Sequence, residues 1–258
     1  MVHCLIFDLE NSILSSKKQT EAAGNGSDLD VQRLFSCFSE RLSFNTKIVK
    51  GLKVASLEKE FAHLIHQLNH LQYDAFVCCL LTSGAGPYKF YGSDLAVFSL
   101  SQIIALFSHR LCSGLAGKPK VFLVQNFQRK FLNRNERKLK QNDLDREDLE
   151  LSARLETFTE RDLTRLELLE NFKEEDIFVW QVTIEGSSVL PIRKIPSVFI
   201  HAICELLEKN RARFHIEPIL SQLNEKIEKL GIQVVSGMDY RLLRPPEMCS
   251  TLVKKLLF

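Results

Sequence analysis

The sequence predicts an α/β fold, a mostly parallel sheet with helices on both faces. Four short runs, His3–Phe7, Ala75–Leu81, Val121–Val124 and Ile177–Val182, are rich in Val, Ile and Phe and hardly alternate. Such runs suit strands covered on both faces. Between them lie stretches with helical spacing of apolar residues, so strand and helix signals alternate along the chain.

The helices follow in order. Ser27-Asp28 offers N-cap acceptors to a helix running from Leu29 to Leu42. Ser56-Leu57-Glu58-Lys59 opens a second, reaching about Leu71, with lysine where a capping box prefers glutamate. Ser99–Leu111 and Pro196–Lys209 read as two more. Pro218–Leu230 is a fifth, with its proline tolerated in the first turn. Asn133–Glu175 differs: it is dense in charge of both signs and has no Gly or Pro. Leu155, Phe158, Leu166, Leu169 and Phe172 recur there at roughly helical spacing. That pattern fits a solvated connector, or a partner-binding helix if its apolar stripe is exposed.

Composition narrows the function. The chain has 258 residues, enough to bury a substantial core. A net charge of +2 gives no argument for nucleic acid or an anionic membrane as partner. The seven cysteines (Cys4, Cys37, Cys78, Cys79, Cys112, Cys204 and Cys249) are odd in number and scattered. They read as reduced, buried thiols of a cytoplasmic protein. Met1–Phe7 is too short and too soon charged for a signal peptide, and no apolar run reaches membrane-spanning length.

Two constellations invite a ligand and do not carry one. His63, His66 and His70, with Glu60 a turn earlier, share a helix face at metal-binding spacing. A polar helix face explains them as well, and no metal is expected. Gly84-Ala85-Gly86-Pro87 follows a strand but lacks the Lys and Ser/Thr of a phosphate loop, so no cofactor is expected either.

The most informative stretch is Gly117-Lys118-Pro119-Lys120, an apolar strand, and then Gln125-Asn126-Phe127-Gln128-Arg129. It resembles the approach to the nucleophile in caspases, where the strand ends in Gln-Ala-Cys-Arg-Gly. Other pieces stand in the family's order. Cys4–Phe7 is similar to its first strand, and Gly26-Ser27-Asp28-Leu29-Asp30 to its Gly-Thr-Asp-x-Asp helix start. Phe76–Gly84 is similar to the strand ending in Ser-His-Gly, and Phe90-Tyr91-Gly92-Ser93-Asp94 to the turn after it. Glu175–Phe178 resembles the start of the small subunit, and Leu252–Phe258 its last strand.

The resemblance implies a three-layer sandwich around a sheet of about six strands. It divides the chain into a large-subunit-like region (1–132), a charged, partly helical linker (133–174) and a small-subunit-like region (175–258). Together these form one domain, with no recruitment prodomain expected.

The departures carry the function. Caspase chemistry needs a cysteine thiolate and a histidine that activates it and then protonates the leaving amine. The resemblance puts Phe127 at the cysteine position and Ser83 at the histidine position. The family's aspartate pocket uses two arginines and a glutamine. Gln125 is retained, whereas Gly24 and Pro191 stand where the arginines are expected, with Lys17, Lys18 and Arg193 nearby. Gly84 matches the oxyanion-hole glycine, although a turn explains it equally. Asp145 is a candidate cleavage point in the linker, and two acids on a solvated helix account for it too.

A degenerate caspase relative is expected to act by pairing. Its partner would be an active caspase, or a second copy of itself, engaged through Ile232–Gly237 and Glu247–Leu257. Pro245, Pro246, Glu247 and Met248 make the entry to that edge polar and broken, which favours selective pairing. The alternatives are a hydrolase using a displaced cysteine or serine, and a scaffold binding through the helix at Leu149–Phe172.

Overall fold

A computed structural model describes residues 1–9, 26–51, 53–54, 59, 61–64, 73–86, 88–92, 94, 96–130, 176–187, 197–210, 219, 222–226, 241–242 and 246–253. Its strands are β1 (Val2–Asp8), β2 (Asn45–Lys50), β3 (Ala75–Gly86), β4 (Lys89–Tyr91), β5 (Val97–Ser99), β6 (Lys120–Lys130), β7 (Ile177–Ser187), β8 (Arg241–Leu242) and β9 (Glu247–Ser250). Its helices include α1 (Gly26–Phe35), α2 (Leu100–Leu106) and α3 (Val198–Lys209).

Six strands form the main path, in the order β2-β1-β3-β6-β7-β8. The first five run parallel, and β8 and β9 lie antiparallel along the outer side of β7. The short β4–β5 ladder branches from the end of β3.

Alternation along the strands sends residues into two separate cores. One face buries Cys4, Ile6, Val77, Cys79, Val121, Leu123, Phe178 and Trp180 against α1 and α3. The other buries Leu5, Phe7, Phe76, Cys78, Phe122, Val124 and Val179 against α2 and the helical residues 61–64. Aromatic stacking fills this second core, with Phe7 and Phe61 rings 4.9 Å apart and Phe76 and Phe107 4.5 Å apart. Three layers result, as the resemblance implies.

Local signals work where their chemistry is met. Ser99 caps α2 through a complete capping box with Gln102, and Ser197 caps α3 by accepting from the Ile200 amide.

Three expectations need correction. The helix expected to reach Leu42 leaves α geometry at Phe35 and continues as π-helical turns over Ser36–Arg41, which bury Cys37 and Phe38. Strand β2 has no counterpart among the expected elements. It is an edge strand bonded on one side to β1, with only Ile48 and Val49 as apolar residues, too few to show a period. Strands β3, β6 and β7 run well past their apolar runs, because their C-terminal ends are polar and still bonded into the ladder. The last described strand is Glu247–Ser250; of the strand expected at Leu252–Phe258, residues 254–258 lie outside the described residues.

Candidate functional site

The site lies at the C-terminal ends of the parallel strands, where binding crevices of open α/β sheets form. The β3–β6 register sets Leu81 beside Gln125, Thr82 beside Asn126, and Ser83 beside Phe127. The next strand adds Ile184 on the far side of Phe127. The two positions assigned to base and nucleophile are therefore direct neighbours, in strands so distant along the chain that Thr82 and Gln125 are 43 residues apart. Both side chains are buried, Ser83 at 5 % and Phe127 at 3 % exposure. A phenyl ring has no lone pair with which to attack a carbonyl. A serine hydroxyl is too weak a base at neutral pH to activate a nucleophile.

Gln125 sits in a closed ring of buried polar groups. Its Nε2 donates to Asp30 Oδ2 at 3.0 Å, and its Oε1 accepts from Ser197 Oγ at 2.6 Å. The Ser197 backbone amide donates to Asp30 Oδ1, and the Ile200 amide donates back to Ser197 Oγ at 3.3 Å. Asp30 accepts in both of these bonds, which suits its ionised form. The ring joins α1, β6 and the start of α3, so Gln125 is committed to holding three elements together.

The Gly-Lys-Pro-Lys approach is structural as well. Gly117 takes φ +66°, a conformation that favours glycine. Pro119 has no N–H of its own, but its carbonyl accepts from Phe76 at 2.9 Å. Lys120 is buried and its Nζ donates to the carbonyls of Leu115 (3.3 Å) and Lys118 (3.1 Å). Gly84 lies inside β3, paired with Phe90, and the turn is taken instead by Gly86 at φ +138°. The reading of Gly84 as a turn glycine is thereby corrected. Tyr88, at φ +53°, donates its hydroxyl to Glu247 and so ties this turn to the edge strand β9.

Several expected site positions lie outside the described residues: Gly24, Lys17, Lys18, Pro191, Arg193 and Asp145, the linker helix at Leu149–Phe172, and Ile232–Gly237. So do His66, His70 and Glu60; His63 is exposed. Among the described residues no three His, Cys, Asp or Glu side chains converge as a metal site.

Residues 1–257 match the family model described as "Caspase domain". The chain belongs to the caspase family. It is 24 % identical over 230 residues to caspase-3 of Bos taurus, covering 83 % of this chain and 71 % of that protein. Caspase-2 of Gallus gallus is 23 % identical over 253 residues, covering 96 % of this chain and 56 % of its own length. The fold matches the crystal structure of caspase-1 from Spodoptera frugiperda with a TM-score of 0.66 at 19 % identity, covering 99 % of this chain and 88 % of that one.

Within this caspase fold the thiols are placed for packing. All seven cysteines are free and buried. Burial pushes Cys4, Cys78, Cys79, Cys112 and Cys204 above the usual thiol range, so their thiolate forms are disfavoured. Cys37 and Cys204 reach each other's element, Cys37 Sγ donating to the Cys204 carbonyl at 3.8 Å and Cys204 Sγ to the Arg33 carbonyl at 3.7 Å. Arg33 and Glu208 close the same junction of α1 and α3 at 2.6 Å.

Sequence reasoning missed Asp30 and Ser197 as partners of Gln125. Asp30 ends the Gly-Ser-Asp-Leu-Asp run and Ser197 stands at a helix start, features that mark each residue but not its partner. No helix among the described residues is long and apolar enough to cross a membrane.

Proposed function

We propose that this caspase-family chain has no protease activity of its own and regulates an active caspase. It would do so by pairing through its small-subunit-like edge, in apoptosis or immune signalling. The observation that carries the reading is the register of Ser83 beside Phe127, both buried, at the positions the resemblance assigns to base and nucleophile. Losing a protease nucleophile of this kind typically costs about a million-fold in turnover. The burial of all seven thiols argues against a displaced cysteine taking over.

The pairing surface is the outer side of β9 and the residues after it. Met248 and Val253 are exposed large apolar side chains there, at 37 % and 67 %. Among the described residues β9 pairs only with β7, and an edge strand with exposed apolar side chains suits pairing with a similar edge.

Mixing the chain with purified active caspases and measuring association together with peptide cleavage tests the reading. Association with at least one, changing its cleavage rate, is the expected result. No association with any, or aspartyl-peptide cleavage by this chain alone, overturns it.

A further inference from the structure

Asn126, the residue before Phe127, is fully buried, and neither its Nδ2 nor its Oδ1 meets a hydrogen-bond partner among the described residues. Gln181 on β7 is also buried, and its Oε1 is equally unmet. Folded chains rarely leave such groups unsatisfied, because each gives up its bonds to water on burial. Two such amides in neighbouring strands call for one explanation.

They face the same way. Phe122 and Val124 on β6 and Val179 on β7 line the core against α2, so alternation turns Asn126 and Gln181 to that face as well. This is the side of the sheet opposite Phe127. Asn126 is in register with Thr183, which makes Gln181 its diagonal neighbour. With strands about 4.8 Å apart and a rise of about 3.3 Å per residue, such diagonal neighbours are roughly 8 Å apart at the backbone. One small molecule between the two amides would satisfy both. Their own direct bond does not form.

The surroundings select the molecule. Gln181 is in register with Glu247, whose carboxylate accepts from the Tyr88 hydroxyl, so an anion would meet a resident negative charge. Thr82 spends its hydroxyl on the Gln125 carbonyl at 3.1 Å. A hard cation takes six or more oxygens, more than two amides supply. A small neutral group with both donors and an acceptor remains.

We propose that Asn126 and Gln181 bind an internal water between β6 and β7. The water accepts from Asn126 Nδ2 and donates to Gln181 Oε1, as buried waters commonly do between otherwise unmet polar groups. This assigns Asn126 a role of its own, where the resemblance has alanine. The position beside Phe127 becomes a hydrated joint between β6 and β7.

A double-mutant cycle with Asn126→Ala and Gln181→Met, each unfolded in urea, tests the joint. A shared water makes the double variant's folding equilibrium constant differ at least about fivefold from the product of the single effects. Effects that multiply to within twofold overturn the proposal. Should either variant fail to fold, a high-resolution crystal structure of the unaltered chain decides. Ordered density within hydrogen-bond distance of both amides supports the water, and amides bonded directly to each other or to the chain refute it.

Discussion

Replacing Gln125 by alanine separates the two roles this residue could hold. If it holds the fold through the Asp30–Gln125–Ser197 ring, its loss removes an amide bond to a buried carboxylate and the acceptor for the Ser197 hydroxyl. Hydrogen bonds to charged groups are worth about 1.5–3 kcal/mol and neutral ones about 0.5–1.5 kcal/mol. The loss should therefore be about 2–4 kcal/mol, a large part of the roughly 5–15 kcal/mol that holds a domain folded. Trp180 provides the readout: it is the chain's single tryptophan, buried, with its ring 4.5 Å from that of Phe199. With a urea dependence of about 3 kcal/mol per molar, the midpoint should fall by roughly 1 M. Gln125→Glu is the sharper control. It sets a second carboxylate against Asp30, so it should be worse than alanine at neutral pH and recover as acid protonates one of the pair. A Gln125→Ala midpoint unchanged within an equivalent of about 0.5 kcal/mol, or a Gln125→Glu deficit independent of pH, would refute the reasoning.

Restoring the chemistry with Ser83→His and Phe127→Cys together should give no cleavage of a fluorogenic aspartyl peptide, because Gly24 and Pro191 still stand where the resemblance expects arginine; turnover above that of the unaltered chain would count against lost recognition. Phe127→Ala alone should destabilise by about 3–5 kcal/mol if the ring packs as a core residue, since it is buried at 3 % exposure; a midpoint within experimental error of the parent would show that the ring packs loosely. A thiol reagent such as dithionitrobenzoate should react slowly with the native chain and with all seven cysteines after unfolding; rapid reaction of one native thiol would expose an activated cysteine. Lys209 and Lys226 hold Glu205 down from 4.5 to about 2, and Arg33 lowers Glu208. Both folded values lie below the unfolded ones, so the stability they add is present above about pH 4.5 and disappears as pH falls toward 2. Glu205→Gln should flatten the decline in that window only, and by little, because the pair is largely exposed; an equal change at pH 7 and pH 3 would contradict this.

Much of the site is legible in the sequence. Phe127 and Ser83 can be placed because the motif runs around them, Gly117–Gln125 and Phe76–Gly84, consist of residues the fold itself requires. Gly117 takes a positive φ that favours glycine, and Lys120 reaches the Leu115 and Lys118 carbonyls with its ammonium group. Asp30 and Ser197 are not legible as partners of Gln125. They lie 95 and 72 residues from it, and no local pattern encodes a contact at that range. Strand β2 leaves no clear signal because an edge strand packed on one side needs few apolar residues.

The sequence by itself determined the α/β class, the order of the main apolar strands and, through the resemblance, which residues stand at the two assigned positions. The first two depend on local apolar patterning, and the last on the motifs that carry the resemblance. Only the tertiary structure decided that Ser83 and Phe127 are neighbours in register and that Gln125 is held by Asp30 and Ser197. It likewise put Asn126 and Gln181 on one sheet face in adjacent strands, with both amide atoms of Asn126 and Oε1 of Gln181 unmet. Parallel strands bring residues from distant parts of the chain side by side, and that pairing is fixed by the ladder and the two cores it separates rather than by any stretch of sequence.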